Sequence, residues 1–224
     1  MMKIRGYKNT SRLEYIVNNC YGKDVLHLGC TNSPETKRRL NEDTLIHDKI
    51  VNVAKSVIGI DLDEYALQLM RDAGRNNLYY GNVEQLSNIE LPIEKYDTIV
   101  CGELIEHLPN PGLMLEGCRS LLKHNGELII STQNTFAMKR FFRVMLFGQE
   151  IIHKEHTAYF SPATLDRLCS MYHFDIGELY YYNAEEGDFY AKQKTKSKIL
   201  NNILKLGVLA PLSDGMVLKL RHES

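Results

Sequence analysis

Apolar positions along the chain gather in short runs at 24–28 (DVLHL), 57–61 (VIGID), 77–80 (NLYY), 96–101 (YDTIVC) and 126–132 (GELIIST), each with the length and β-branched content of a buried strand. Between most of them the apolar spacing turns helical, at 11–20, 46–55, 63–73 and 112–123, with Tyr65, Leu69 and Met70 on one stretch and Leu115, Cys118, Leu121 and Leu122 on another. Such alternation predicts a parallel sheet covered on both faces. The punctuation agrees: Asp63 is placed to cap a helix, Gly74 to end it, and Pro111 with Gly112 to open the next.

Beyond residue 132 the pattern changes. A basic, aromatic segment (KRFFRVMLF, 139–147) precedes a helix opening near Ser161 and Pro162, and an aromatic strand follows at 174–183 (FDIGELYYYN). A polar loop at 184–198, a helix at 199–207 and a last strand at 216–222 (MVLKLRH) complete the expected order.

A chain of 224 residues, 44% hydrophobic and 25% charged, fits one globular domain. The formal charge of -1 provides no global attraction for nucleic acid, and no nucleic-acid partner is expected. Cys20, Cys30, Cys101, Cys118 and Cys169 are scattered with no CxxC pair, and no run of about eighteen apolar residues occurs. Reduced thiols and a cytoplasmic location are the expectation.

In an open parallel sheet, ligands bind beyond the carboxyl ends of the strands. Four stretches reach that edge. VLHLGCTNS (25–33) carries Gly29, suited to a tight turn; VIGIDLD ends strand two on Asp61, an acceptor for two ribose hydroxyls; Asn82 and Val83 follow strand three; and YDTIVCGELIEHLPNP (96–111) brings Glu103, Glu106 and His107 close together. The first turn lacks the G-x-G-x-x-G spacing of a dinucleotide site, which argues against an NAD-dependent oxidoreductase.

Taken together these stretches resemble the class I S-adenosylmethionine methyltransferases, in the branch whose fourth strand leads into E-x-x-E-H, here Glu103 to His107, and whose fifth ends T-x-N, here Thr132-Gln133-Asn134. The segment 155–176 (EHTAYFSPATLDRLCSMYHFDI) is similar to the substrate-side region of small-molecule O-methyltransferases in that branch. The resemblance implies a Rossmann-like α/β sheet of about seven strands, mostly parallel with an antiparallel last strand and helices on both faces. It also implies that His27, Gly29 and Cys30 hold the methionine end of S-adenosylmethionine, Asp61 with Leu62 the ribose, and Asn82 with Val83 the adenine, while Cys101 to Glu103 flank the sulfonium. His27 stands where the family carries an acidic residue, and Gly29 and Asp61 lie further apart than the roughly 20 positions of a compact unit. The extra residues, about 33–45, and the segment at about 135–160 are expected to form lids over the site.

For a hydroxyl acceptor a base must take the proton, and His107, His153 and His156 are the candidates. Relatives in this branch suggest a second use: a divalent metal held by Glu103, Glu106, His107 and His156, set against the preferred view that Glu106 and His107 cap or brace the loop before Pro109. Segment 139–147 has the amphipathic character of a lid helix packed on the domain or of a peripheral membrane contact. Tyr180, Tyr181, Tyr182, Phe189 and Tyr190 are expected to serve packing rather than stacking on a ligand. The expected activity is O-methylation of a small hydroxylated acceptor, such as a sugar or glycan precursor; a quinone or lipid-like phenol, or a non-catalytic cofactor-binding module, are the alternatives. Oligomeric state has no signature in the sequence.

Overall fold

The computed structural model describes residues 10–150, 152–183 and 207–222. In chain order the elements are α1 (Arg12–Cys20), β1 (Asp24–Leu28), α2 (Thr36–Asn41), α3 (Ile46–Val51), β2 (Ser56–Asp61), α4 (Glu64–Asp72), β3 (Leu78–Tyr80), β4 (Tyr96–Gly102), α5 (Pro111–Leu121), β5 (Leu122–Gln133), α6 (Met138–Phe147), α7 (Pro162–Met171), β6 (Phe174–Tyr182) and β7 (Gly215–His222). Short 3-10 turns cover Val83–Asn88, Ile105–His107 and Gly207–Leu212. The polar loop expected at 184–198 lies outside the described residues, as does the helix expected at 199–207 except for Gly207, and so do Phe189 and Tyr190.

The seven strands form one sheet in the order β3-β2-β1-β4-β5-β7-β6. β1 pairs in parallel with β2 and β4, β3 with β2 and β5 with β4, while β7 runs antiparallel to both β5 and β6. The expected sheet, mostly parallel with its last strand reversed, is the observed one. Strand order reverses between β1 and β4, so the crevice beyond their carboxyl ends is where a ligand belongs.

Burial on both faces explains the continuous apolar runs. Leu26, Leu28, Ile60, Ile99, Leu128 and Ile130 pack on one side with Met114 and Leu115 of α5 and Leu165 of α7. Val25, Val57, Val100, Ile129 and Val217 pack on the other with Ile16 of α1 and Ile50 of α3. Alternation along each strand divides neighbouring residues between these two layers.

Local chemistry sets the helix ends. The Asp63 carboxylate accepts from the Ala66 amide at 2.9 Å, Gly74 follows α4 with φ +84°, and Pro111 occupies the first turn of α5. Ser161 and Thr164 form a reciprocal capping box on α7. Two boundaries differ from expectation. α3 stops at Val51, where the chain turns so that the amides of Lys55 and Ser56 reach the Lys23 carbonyl. β5 starts at Leu122, earlier than its apolar run, because Leu122 already pairs with Tyr96 ahead of a register shift.

Segment 33–45 is anchored on the domain. The Ser33 hydroxyl donates to Asp63 at 2.5 Å, Thr36 to the Thr31 carbonyl at 2.8 Å, and Leu45 is buried with Cys30, Leu67 and Met70. No helix among the described residues is long and apolar enough to cross a membrane.

Candidate active site

Gly29, directly after β1, has φ +69°, and a Cβ there would lie 3.2 Å from the Leu104 side chain; both facts call for glycine at this turn. Its amide and that of Cys30 donate to the Ile60 carbonyl, at 2.9 and 3.2 Å, which holds the first turn against the end of β2. Cys30 is buried, with its sulfur against Gly59, and burial pushes its thiol far up, so at this edge it supplies only backbone.

His27 is engaged by a second imidazole. It falls on the same face of β1 as Val25, is buried, and lies with its Nδ1 3.2 Å from Nδ1 of His47 on α3. The period of two along β1 puts the ring on this face, where the charge of Arg12 also reaches it.

Asp61 is held in place by its neighbours. Oδ2 accepts from the Thr31 amide at 3.0 Å and hydroxyl at 2.8 Å, and Oδ1 from the Asp63 amide at 3.1 Å. Each carboxylate oxygen retains further acceptor capacity for a diol. Leu62 beside it is 57% exposed, an apolar surface at the rim of the crevice. Asn82 caps the turn after β3, accepting from the Glu84 amide at 2.9 Å, and Val83 is buried in the main core rather than presented to solvent.

At the end of β4, Cys101 is buried among Cys118 and other core residues, whereas Glu103 adopts φ +52° and turns to accept a hydrogen bond from the Tyr182 hydroxyl. A left-handed non-glycine residue at a strand end is the kind of strain that functional sites hold. Glu106 is fully buried and accepts from the Thr132 hydroxyl at 2.9 Å, while its other oxygen, Oε1, is buried without a partner. Burial, then the charge of Glu103, pushes the Glu106 carboxyl well above the usual range.

Two participants have no motif in the sequence. Arg12 on α1 donates through Nε to the Ser131 hydroxyl at 2.8 Å and lies so close to Gly102 that a Cβ there would be 2.9 Å from its Nη2. Its guanidinium therefore lies over the ends of β4 and β5. Tyr182, nominally a packing residue on β6, reaches Glu103 from the other side. The remaining tyrosines pack as expected, Tyr181 in the core and Tyr180 against Tyr15 at 5.0 Å. Asn134, the last residue of the T-x-N ending, is structural: its side-chain amide donates to the carbonyls of Pro211 and Ser213 at 2.8 and 3.0 Å.

The three candidate bases do converge. The rings of His107 and His156 lie 4.5 Å apart between centroids, and His153 is 5.7 and 5.2 Å from them. Burial holds His156 down at about 4 and also lowers His107, with the neighbouring imidazoles adding to both shifts, so these two are neutral at neutral pH. The metal set expected from Glu103, Glu106, His107 and His156 is not assembled. Glu103 is engaged by Tyr182 and Glu106 by Thr132, and among the described residues the group with metal-binding spacing is His107, His153 and His156.

α6 was expected to pack on the domain or to meet a membrane. None of its residues is buried, and Phe141, Phe142, Val144, Met145, Leu146 and Phe147 are all exposed. Its first turn is tied down, Lys139 to Asp214 at 2.7 Å and Arg140 to the Gln133 side chain.

A glycine turn, a buttressed ribose-type acidic residue and a strand order reversing between β1 and β4 are the frame of a class I methyltransferase, and solved proteins share it. An S-adenosylmethionine-dependent methyltransferase from Archaeoglobus fulgidus superposes with a TM-score of 0.58 over 92% of this chain and 89% of its own, at 16% identity. Another, from Mesorhizobium loti, does so with a TM-score of 0.55 over 94% and 95%, also at 16% identity. The methyltransferase domain family matches residues 21–206, and the chain belongs to that family: it is a methyltransferase. Among curated proteins it is similar to the ubiquinone biosynthesis O-methyltransferase of Glaesserella parasuis, 28% identical over 81% of this chain and 80% of that one.

Proposed function

We propose that this protein transfers the methyl group of S-adenosylmethionine to a hydroxyl of a quinone-like or other lipid-like phenol. The observation that carries the choice of acceptor is the exposed apolar face of α6, whose first turn adjoins the imidazole cluster: Arg140 lies 4.2 Å over the Tyr159 ring and its charge is felt at His156. A sugar acceptor gives no reason for six large apolar side chains to face water on one ten-residue helix, whereas an acceptor delivered from a membrane surface does. The name of the Glaesserella parasuis relative points the same way.

S-Adenosylmethionine, when bound, supplies the electrophilic methyl group. In this reading the Gly29 turn receives its methionine end, Arg12 faces its carboxylate, Asp61 takes the ribose hydroxyls, and Leu62 and Asn82 border the adenine. Glu103, held by Tyr182, flanks the region of the sulfonium, where a negative charge is favourable. Displacement needs acceptor oxygen, methyl and sulfur in line, and alignment of this kind supplies several kcal/mol. His107 or His156, neutral at the working pH, takes the acceptor's proton as its oxygen attacks.

The test is methyl transfer from radiolabelled S-adenosylmethionine to a prenylated catechol and, in parallel, to a nucleotide sugar, together with sedimentation on anionic vesicles. Transfer to the phenol, with vesicle binding lost in Leu146→Glu, is the expected result. Transfer to the sugar alone, with no vesicle binding, replaces the proposed acceptor with a glycan precursor.

A further inference from the structure

The imidazole cluster is built differently from the ligand set that the resemblance implies. His107 comes from the turn after β4, whereas His153 and His156 come from the connection after α6, and one ligand atom of each lies within 4.8 Å of the others. The connection is fastened to the turn: the Thr157 amide donates to the Glu106 carbonyl at 2.8 Å, and the Thr157 hydroxyl donates to the carbonyls of Glu106 and Leu108 at 3.1 and 3.0 Å. A backbone bond from the His156 amide to the His153 carbonyl at 3.0 Å sets those two side chains on one tight turn. Nδ1 of His156 is buried without a hydrogen-bond partner, a nitrogen lone pair or N–H that lacks the bond its burial calls for.

We propose that His107, His153 and His156 form a binding site for a divalent transition cation of the zinc, cobalt or nickel type, and not for magnesium. Imidazole nitrogen is a borderline donor that suits those ions, whereas magnesium takes oxygen ligands in a strict octahedron. Glu103 is engaged by Tyr182, and Glu106 lies in the core with Oε2 on Thr132 and Oε1 unpartnered, so neither carboxylate belongs to the imidazole group. Three protein ligands leave a coordination position open, which is the arrangement of reactive rather than purely structural zinc sites. The Arg140 charge close to His156 weakens the site without taking the place of a ligand. This goes beyond methyl transfer as proposed above, which uses His107 or His156 as a base only while the site is empty, because a ring nitrogen bound to the ion has no lone pair left for a proton.

The experiment strips the full-length protein with a chelator, then titrates it with cobalt(II) followed by visible absorption, with zinc and magnesium as competitors. S-Adenosylhomocysteine binding, measured by calorimetry on the same samples, reports that the methyltransferase frame is intact. The proposal expects one cobalt per chain, displacement by zinc but not by a large excess of magnesium, and at least about tenfold weaker cobalt binding in His153→Gln with cofactor-product binding unchanged. Wild-type affinity in His153→Gln, or ready displacement by magnesium, overturns the tri-imidazole site. Absence of cobalt uptake by a wild type that binds S-adenosylhomocysteine also overturns it and leaves the methyltransferase assignment standing, whereas failure to bind S-adenosylhomocysteine counts against that assignment alone.

Discussion

One carboxylate oxygen of Asp61 accepts from both the amide and the hydroxyl of Thr31, at 3.0 and 2.8 Å, which ties the end of β2 to the turn after β1. The carboxylate is thus oriented without a ligand, and in the proposed role a ribose diol would meet an acceptor that loses little freedom on binding. A hydrogen bond to a charged group contributes about 1.5–3 kcal/mol. Thr31→Val, which removes the hydroxyl and keeps the amide, is therefore expected to weaken S-adenosylmethionine binding by roughly tenfold or more, while Asp61→Ala abolishes it. Calorimetry distinguishes the two, and wild-type affinity in Thr31→Val would show that Asp61 needs no buttress.

Arg12 reaches Ser131 from α1, and its guanidinium fills the space beside Gly102 that a side chain would occupy. If that charge faces the carboxylate of the methionine moiety, its loss must matter only for ligands that carry the carboxylate. Arg12→Met is expected to weaken S-adenosylhomocysteine binding at least tenfold and to leave 5'-methylthioadenosine binding within about twofold of wild type. Equal weakening of both ligands would assign Arg12 a purely structural role.

The sheet was legible because every strand buried on both faces writes a continuous apolar run, and the helices between them carry their own caps, such as Asp63 and Pro111. Gly29 and Asp61 were legible for a related reason: each lies where a strand must end and a ligand can begin. Arg12 and Tyr182 were not, since their contacts with Ser131 and Glu103 span 119 and 79 positions of sequence and leave no local spacing. The contact of His27 with His47 was not legible either: the period of two along β1 puts the ring on the Val25 face, but its partner comes from α3, 20 positions away. The Glu103, Glu106, His107 triplet looked like one ligand set because it is close in sequence. The turn instead sends its members to three environments: Tyr182, Thr132 and the imidazole cluster.

Glu106 offers a test through pH. Its carboxyl is held well above the unfolded value by burial and by Glu103, so the folded protein keeps a proton that the unfolded chain releases above about 4.3. The contribution is fully present below the unfolded value and is lost as pH rises towards the folded one. Glu106→Gln cannot ionise, still offers an oxygen to the Thr132 hydroxyl, and removes that dependence. Its denaturant midpoint is expected to exceed that of wild type at pH 8, with the difference shrinking as pH falls. A stability difference between variant and wild type that does not change with pH would mean that the fold does not raise the Glu106 carboxyl.

The buried pair His27 and His47 acts on the acid side. With Nδ1 atoms 3.2 Å apart, one ring must donate and the other accept, so the contact exists only while at least one ring is neutral. Burial holds His47 down at about 4, and burial followed by the His47 charge holds His27 well below its usual value. Below about pH 6.5 the unfolded chain therefore takes up protons that the folded protein refuses. Stability present above that pH is lost as pH falls towards 4, by up to about 1.4 kcal/mol per pH unit for each ring. His47→Asn offers His27 an amide in place of the ring nitrogen and does not titrate. Urea unfolding between pH 6.5 and 4 should then show a slope shallower than wild type by up to about 1.4 kcal/mol per pH unit, with His107 and His156 keeping their own share, while an unchanged slope would mean that His47 does not contribute to the acid sensitivity of the fold.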